Sequence, residues 1–153
     1  MLMYANCENP IDRLEEQLLH AQAITPELMS EVMAQACVRF SALGAAKVRV
    51  NRLIESGAWT DAVLALVELE LPQWKLRRLV QEDGEWLCYL SKQPQLPFGF
   101  DEFAEASHEI LPLAILITFL QARRAVAAGA TNTTAVPRIS PMPCHALCCD
   151  NFA

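Results

Sequence analysis

Residues 110–120 read ILPLAILITFL. The run carries no charge. It is shorter than the roughly 20 apolar residues that cross a bilayer, and too apolar for a helix lying on a surface. It reads as a helix buried on most sides at the centre of a small domain, and the remaining segments read as what surrounds it.

Upstream, residues 75–81 and 85–92 flank Glu82-Asp83-Gly84 and predict a β-hairpin. A three-residue loop with Gly84 at positive φ places Leu76, Arg78 and Val80 on one face with Trp86, Cys88 and Leu90. The other face then carries Leu79, Leu87 and Tyr89 among Lys75, Arg77, Gln81 and Glu85. A two-residue Asp83-Gly84 turn mixes polar and apolar side chains on both faces and sets Glu82 against Glu85, so the longer loop is expected. A two-stranded ribbon alone is marginal in water. The apolar helix is its expected cover. Between them, residues 93–100 (QPQLPFGF) read as a loop and 101–106 as a helical turn. Ser107 reads as the cap of the main helix, and Arg123 and Arg124 sit near its C-terminal end, where cations are favoured.

Toward the N-terminus the periodicity is helical. Ile11, Leu14, Leu18 and Leu19 share a face of a short amphipathic helix over 10–22. Thr25 and Pro26 open a second helix whose stripe is Leu28, Met29, Val32, Met33, Ala36, Phe40 and Leu43, with Gly44 as its stop. A third covers 45–56 and ends at Gly57. A fourth, capped by Thr60 or Asp61, covers 62–71 and ends at Pro72. From Gly129 onward small polar residues and prolines replace the periodic pattern, which reads as a disordered tail. The expected fold is α+β and mostly helical: several N-terminal helices, one antiparallel hairpin, one buried C-terminal helix and the tail. The expected boundaries are an extension over 1–44, a core over 45–128 and the tail over 129–153.

Composition bounds the function. The net charge is −6, with 12 basic against 18 acidic side chains, which argues against a phosphate-backbone partner and so against nucleic acid. The first ten residues, MLMYANCENP, lack the positive flank and apolar run of a secretory signal. A cytoplasmic location with no membrane partner is therefore expected, and the six cysteines are expected to be thiols.

Two stretches, VNRLIESGAWTDAVLALVELELPQWKLRRLVQEDGEW over 50–86 and ASHEILPLAILITFLQARR over 106–124, resemble a group of short proteins of unassigned function from rhizobial-type alphaproteobacteria. A hairpin followed by a proline-containing apolar helix is also similar to phage-type α-β-β-α sandwich domains of unknown function. The resemblances imply no activity and carry over no site residue.

Several constellations bear on chemistry. Cys144, His145, Cys148 and Cys149 put four soft ligands within six residues, a possible Zn or Cu site or a redox-responsive tail. Adjacent cysteines suit one tetrahedral ion poorly, and no paired CxxC is present. Cys7, Cys37 and Cys88 read as small core hydrophobes. Arg77, Arg78, Arg123 and Arg124 read either as a basic patch or as partners of Glu85, Glu105 and Glu109. His108-Glu109 lacks the second histidine of a zinc helix. With no phosphate loop, dinucleotide fingerprint or nucleophile motif, no cofactor or catalytic residue is assigned. The leading expectation is a non-enzymatic protein–protein interaction or regulatory module. It would bind a protein partner or itself through the ribbon face bearing Arg77, Leu79, Leu87 and Tyr89. The alternatives are the metal- or redox-responsive tail and an enzyme or small-ligand binder with a pocket near 93–100.

Overall fold

A computed structural model describes residues 9–42 and 44–131. Its elements are α1 (Pro10–His20), α2 (Pro26–Ala36), α3 (Val38–Ala42), α4 (Gly44–Glu55), α5 (Trp59–Glu70), β1 (Lys75–Glu82), β2 (Glu85–Ser91), a 3-10 turn (Phe98–Phe100), β3 (Phe103–His108) and α6 (Leu111–Thr131). The architecture is α+β and mostly helical, as the periodicity implies. The expected tail and its cysteines lie outside the described residues except that α6 continues to Thr131, past the expected boundary at 129.

The first helices start where local chemistry puts them. The Asn9 side chain accepts the Ile11 N–H at 3.2 Å and Pro10 takes the first turn of α1. Thr25 Oγ1 does the same for the Leu28 N–H, with Pro26 following. The second stripe does not run through to residue 43. It breaks at Cys37, whose backbone is extended (φ −113°, ψ 92°). Beyond the break, the Phe40 N–H in the first turn of α3 donates to Glu70 Oε1 at 2.6 Å. A carboxylate from α5 thus caps a helix 30 residues earlier, where negative charge is favoured. Gly44 begins α4 rather than ending its predecessor. At the far end of α4, Gly57 takes φ +73° and Ala58 N–H returns to Leu53 O at 2.9 Å, a glycine-terminated helix end.

The hairpin turn has two residues, not three. Asp83 (φ 52°) and Gly84 (φ 85°) both adopt the left-handed conformation that matches the twist of the strands. Glu82 therefore faces Glu85 after all. Both are exposed, so water screens a repulsion that the backbone fit outweighs. The register puts Leu79 opposite Cys88 and Val80 opposite Leu87, and a bulge at Arg77 restores Leu76 opposite Leu90. Leu79 thus packs against the core and Val80 does not, the reverse of the expected faces.

A third strand replaces the expected helical turn at 101–106. β3 pairs antiparallel with β2, from Ser91 opposite Phe103 to Trp86 opposite His108, giving the order β1-β2-β3. Ala104 and Ala106 fall on the face toward α6, where small side chains let the helix lie close. Ser107 is consequently a strand residue. His108 Nδ1 accepts the Ile110 N–H at 2.9 Å just before α6.

The expected hub is present. All eight side chains from Leu113 to Leu120 are 0% exposed. α6 packs on β2, β3, α1 and α5, and one hydrophobic cluster joins Leu14 and Met29, in the expected extension, to Cys88, Leu90 and Phe119. By length and composition α6 passes as a membrane span, yet half of that window is buried inside the fold, so here it is a core helix. Thr118, the polar residue in the run, donates to Ala114 O at 2.7 Å. Arg124 clamps α6 to α1, 2.6 Å from Glu15 Oε2 and also paired with Asp12, while Gln121 donates to Glu15 Oε1 at 3.0 Å.

Burial pushes the Cys37 thiol up to about 12, with the Glu70 charge adding to the rise, and burial pushes Cys88 up to about 11. Phe119→Ala should lower the unfolding free energy by about 3–5 kcal/mol in urea titration, whereas Val126→Ala, on the exposed end of the helix, should stay within about 0.5 kcal/mol. The folded state holds the two thiol protons more tightly than an unfolded chain near 9.0. The resulting stability is complete below pH 9.0 and is lost as pH rises toward about 11 and then about 12. Site-resolved mass spectrometry should find Cys37 and Cys88 unalkylated by iodoacetamide in the native protein below pH 9.0 and alkylated in urea.

Candidate interaction face

With α6 on one side of the sheet, the other side presents a second set of side chains. Arg78 stands opposite Tyr89, and Tyr89 opposite Glu105. Val80 faces Leu87, and Phe103 completes the row. Val80, Leu87 and Tyr89 are half-buried, and Phe103 is exposed.

Residues 93–102 fold over one end of this face. The Phe98 ring lies 5.5 Å from Tyr89 and 5.3 Å from Phe103 between centroids, tilted to the first and edge-on to the second. The Arg77 guanidinium sits 3.8 Å from the Phe98 ring centroid. The same group donates to Leu96 O at 2.7 Å and pairs with Asp101 Oδ2 at 3.0 Å. Asp101 Oδ1 accepts the Gln93 N–H at 2.9 Å, closing the loop on itself. Burial raises the Asp101 carboxyl, but the Ser91 hydroxyl beside it, the Gln93 N–H and the Arg77 charge outweigh that and hold it below the usual range. Ser91 Oγ stands near this carboxylate without completing a hydrogen bond. Burial, then the Glu105 carboxylate, raise the Tyr89 hydroxyl. Phe100 has no such cover and is 80% exposed.

Of the residues expected on the interaction surface, Leu87, Tyr89 and Arg77 are on this face, and Leu79 is not. β2 is the central strand, so among the described residues β1 and β3 are the two edges of the sheet, and of the ribbon strands β1 alone lies at an edge. Arg77 and Arg78 lie on β1, Arg123 and Arg124 on α6. Arg77 is held by Asp101, Arg78 lies 3.7 Å from Glu82, Arg124 is committed to α1, and Arg123 Nε is buried with no hydrogen-bond partner among the described residues. Cys144, His145, Cys148 and Cys149 lie outside the described residues. Among the described residues no group of three or more His, Cys, Asp and Glu side chains is placed to hold a metal ion. Within 93–100, the segment expected to cover a pocket, Phe98 stacks on the Arg77 guanidinium. Sequence reasoning missed Phe98, Phe100 and Phe103, although three phenylalanines within six residues of a proline-rich loop were the available signal.

Elsewhere, a cleft of about 700 Å³ is lined by His20, Glu85, Ser107, His108 and Glu109 among others. It is wide, and the His108 Nδ1 lone pair is already used by Ile110. A smaller cavity lies between α3, α5 and the exposed end of α6.

Asp101→Asn should release the loop. At neutral pH the ring-current-shifted resonances of Phe98 and the Gln93 amide should move toward loop-open positions. In the wild-type chain the same movement should appear only below the ordinary carboxyl value of 3.8, because a depressed carboxyl stabilises the closed loop at every pH above it and loses that effect as acid protonates it. Comparison with protein-family models, with curated proteins and with solved structures gives no match to the chain.

Proposed function

We propose that the chain is a non-enzymatic, cytoplasmic interaction module that works by pairing with a second copy of itself along β1. The supporting observation is the incompletely covered sheet. Among the described residues β1 is an edge strand of the sheet, and open edges are templates for another strand. The order of charges along this edge selects the occupant. Lys75, Arg77 and Arg78 lie in its first half, and Glu82, Asp83 and Glu85 at its turn end. Two copies related by a two-fold axis run antiparallel, so each basic half meets the partner's acidic end, with Lys75 across from Glu82. The bulge and the positive charges on β1 discourage indiscriminate pairing, while the opposite-sign ends favour this one register. The aromatic face then continues across six strands, doubling the surface that Tyr89, Phe98 and Phe103 present.

Sedimentation across a concentration series tests the reading. A dimer weakened by salt is expected. Glu82→Lys should weaken it by about tenfold or more, and adding Lys75→Glu should restore it, because the charges are exchanged in place. A monomer at high micromolar concentration, or a dimer indifferent to both changes, would remove the proposal.

A further inference from the structure

Among the described residues β3 is the second edge of the sheet, and the hydrogen-bond phase of the ladder fixes which of its backbone groups face outward. The Lys92 N–H donates to Glu102 O at 3.2 Å, so these two residues form a bonded pair just before the β2–β3 ladder. Bonded and non-bonded pairs alternate along antiparallel strands. Leu90–Ala104, Cys88–Ala106 and Trp86–His108 are then the bonded pairs. The two-residue turn demands the same phase. It closes on Glu82–Glu85 as a bonded pair and leaves the even-numbered residues of β2 for β3. The N–H and C=O groups of Phe103, Glu105 and Ser107 therefore point away from β2. β2 and α6 supply the packing on β3, and these three residues make no backbone bond to a loop or turn among the described residues. Their side chains project on the face away from α6, since Ala104 and Ala106 take the other. The charge beside this edge has one sign. Glu105 is exposed, and past the end of β3 Glu85 and Glu109 line the cleft of about 700 Å³ with Ser107 and His108. Among the described residues none of these three carboxylates is ion-paired, whereas Arg77, Arg78 and Lys92 each meet an acid. At the opposite end of the edge stand the partly exposed rings of Phe103 and Phe98.

We propose that β3 takes up an extended peptide segment of a partner protein, antiparallel to itself, in which basic residues alternate with β-branched ones and an aromatic residue follows. The first basic residue lies beside Ser107, within the field of Glu85 and Glu109. The second lies beside Glu105, and the aromatic residue rests on Phe103 and Phe98. The β-branched residues between them turn to the α6 side. Backbone bonds to Phe103, Glu105 and Ser107 supply affinity, and the one-sided charge fixes direction. A second copy fits poorly. Two β3 strands related by a two-fold axis, in the register that uses all three residues, set Glu105 against Glu105. This edge lies across the sheet from β1, so a chain that stays monomeric keeps it.

The test is an NMR titration of full-length, ¹⁵N-labelled protein with the peptide acetyl-Lys-Val-Arg-Val-Phe-amide. The amides of residues 103, 105 and 107 should shift saturably, with Kd of about 0.1–1 mM. The same shifts should appear in Glu82→Lys, in which pairing along β1 is weakened. A peptide N-methylated at its arginine keeps every charge but cannot donate to Glu105 O, and it should bind at least about tenfold more weakly. Glu105 is exposed, so Glu105→Lys leaves the core intact. That variant should bind the parent peptide about tenfold more weakly and prefer acetyl-Lys-Val-Glu-Val-Phe-amide. No saturable shift by about 5 mM peptide, shifts confined to residues outside β3, or an unaltered Kd in Glu105→Lys would overturn the inference. So would equal binding of the N-methylated peptide, which is adhesion by charge alone.

Discussion

The fold depends on the complete removal of eight consecutive α6 side chains from water. A helix that is apolar around its whole circumference cannot rest on one neighbour. It needs cover on every side, and four elements from both ends of the described chain supply it: α1 and α5, and strands β2 and β3. This requirement explains why α1 and α2 belong to the same core as the sheet. It also explains why Ala104 and Ala106 occur where they do, since a helix with bulky side chains all round approaches a sheet closely only over small ones. Dispersion contacts of this density are unforgiving of lost volume.

A second set of constraints is polar. Glu70 and Arg124 each tie segments far apart in sequence, but under different conditions. Arg124 works in water, where its pairs with Asp12 and Glu15 orient α1 against α6 while contributing little individually. Glu70 works in the interior, where one oxygen secures the turn into α3 and the other has no partner among the described residues. A buried half-satisfied carboxylate is an expensive feature. The rest of the core tolerates it because the surrounding cluster is large and continuous.

What was legible in the sequence follows from how local each signal is. The caps at Asn9 and Thr25, the glycine end at Gly57 and the apolar run at 110–120 are written within a few residues, and each was readable or nearly so. The break at Cys37 was not, because the carboxylate that caps the helix beyond it is Glu70, which is close only once α5 is packed. At the Asp83-Gly84 turn cross-strand charge weighs less than backbone twist. With Glu82 and Glu85 in open solvent, twist wins. That single-residue difference carried Leu79 from the supposed interaction surface into the core. Strand β3 is hard to read because Ala and Glu, which alternate along it, are helix formers by propensity and depleted in strands. The aromatic loop escaped notice because its assembly depends on Arg77, a bulge residue, reaching across the sheet.

The length of α6 has one further mechanical implication. Its residues 113–120 are locked in the interior, and from Arg124 to Gly129 the same unbroken rod is exposed. Six residues at 1.5 Å each continue the rod for about 9 Å, held to the body by Arg124 at its start and by Val126 in the wall of the small cavity. Because this segment shares its hydrogen-bond ladder with the core, it cannot swivel independently. Adding or deleting a single residue within it would rotate the last turn of the helix, up to Thr131, by about 100° around the axis, so the direction in which the helix ends is set as firmly as the packing itself.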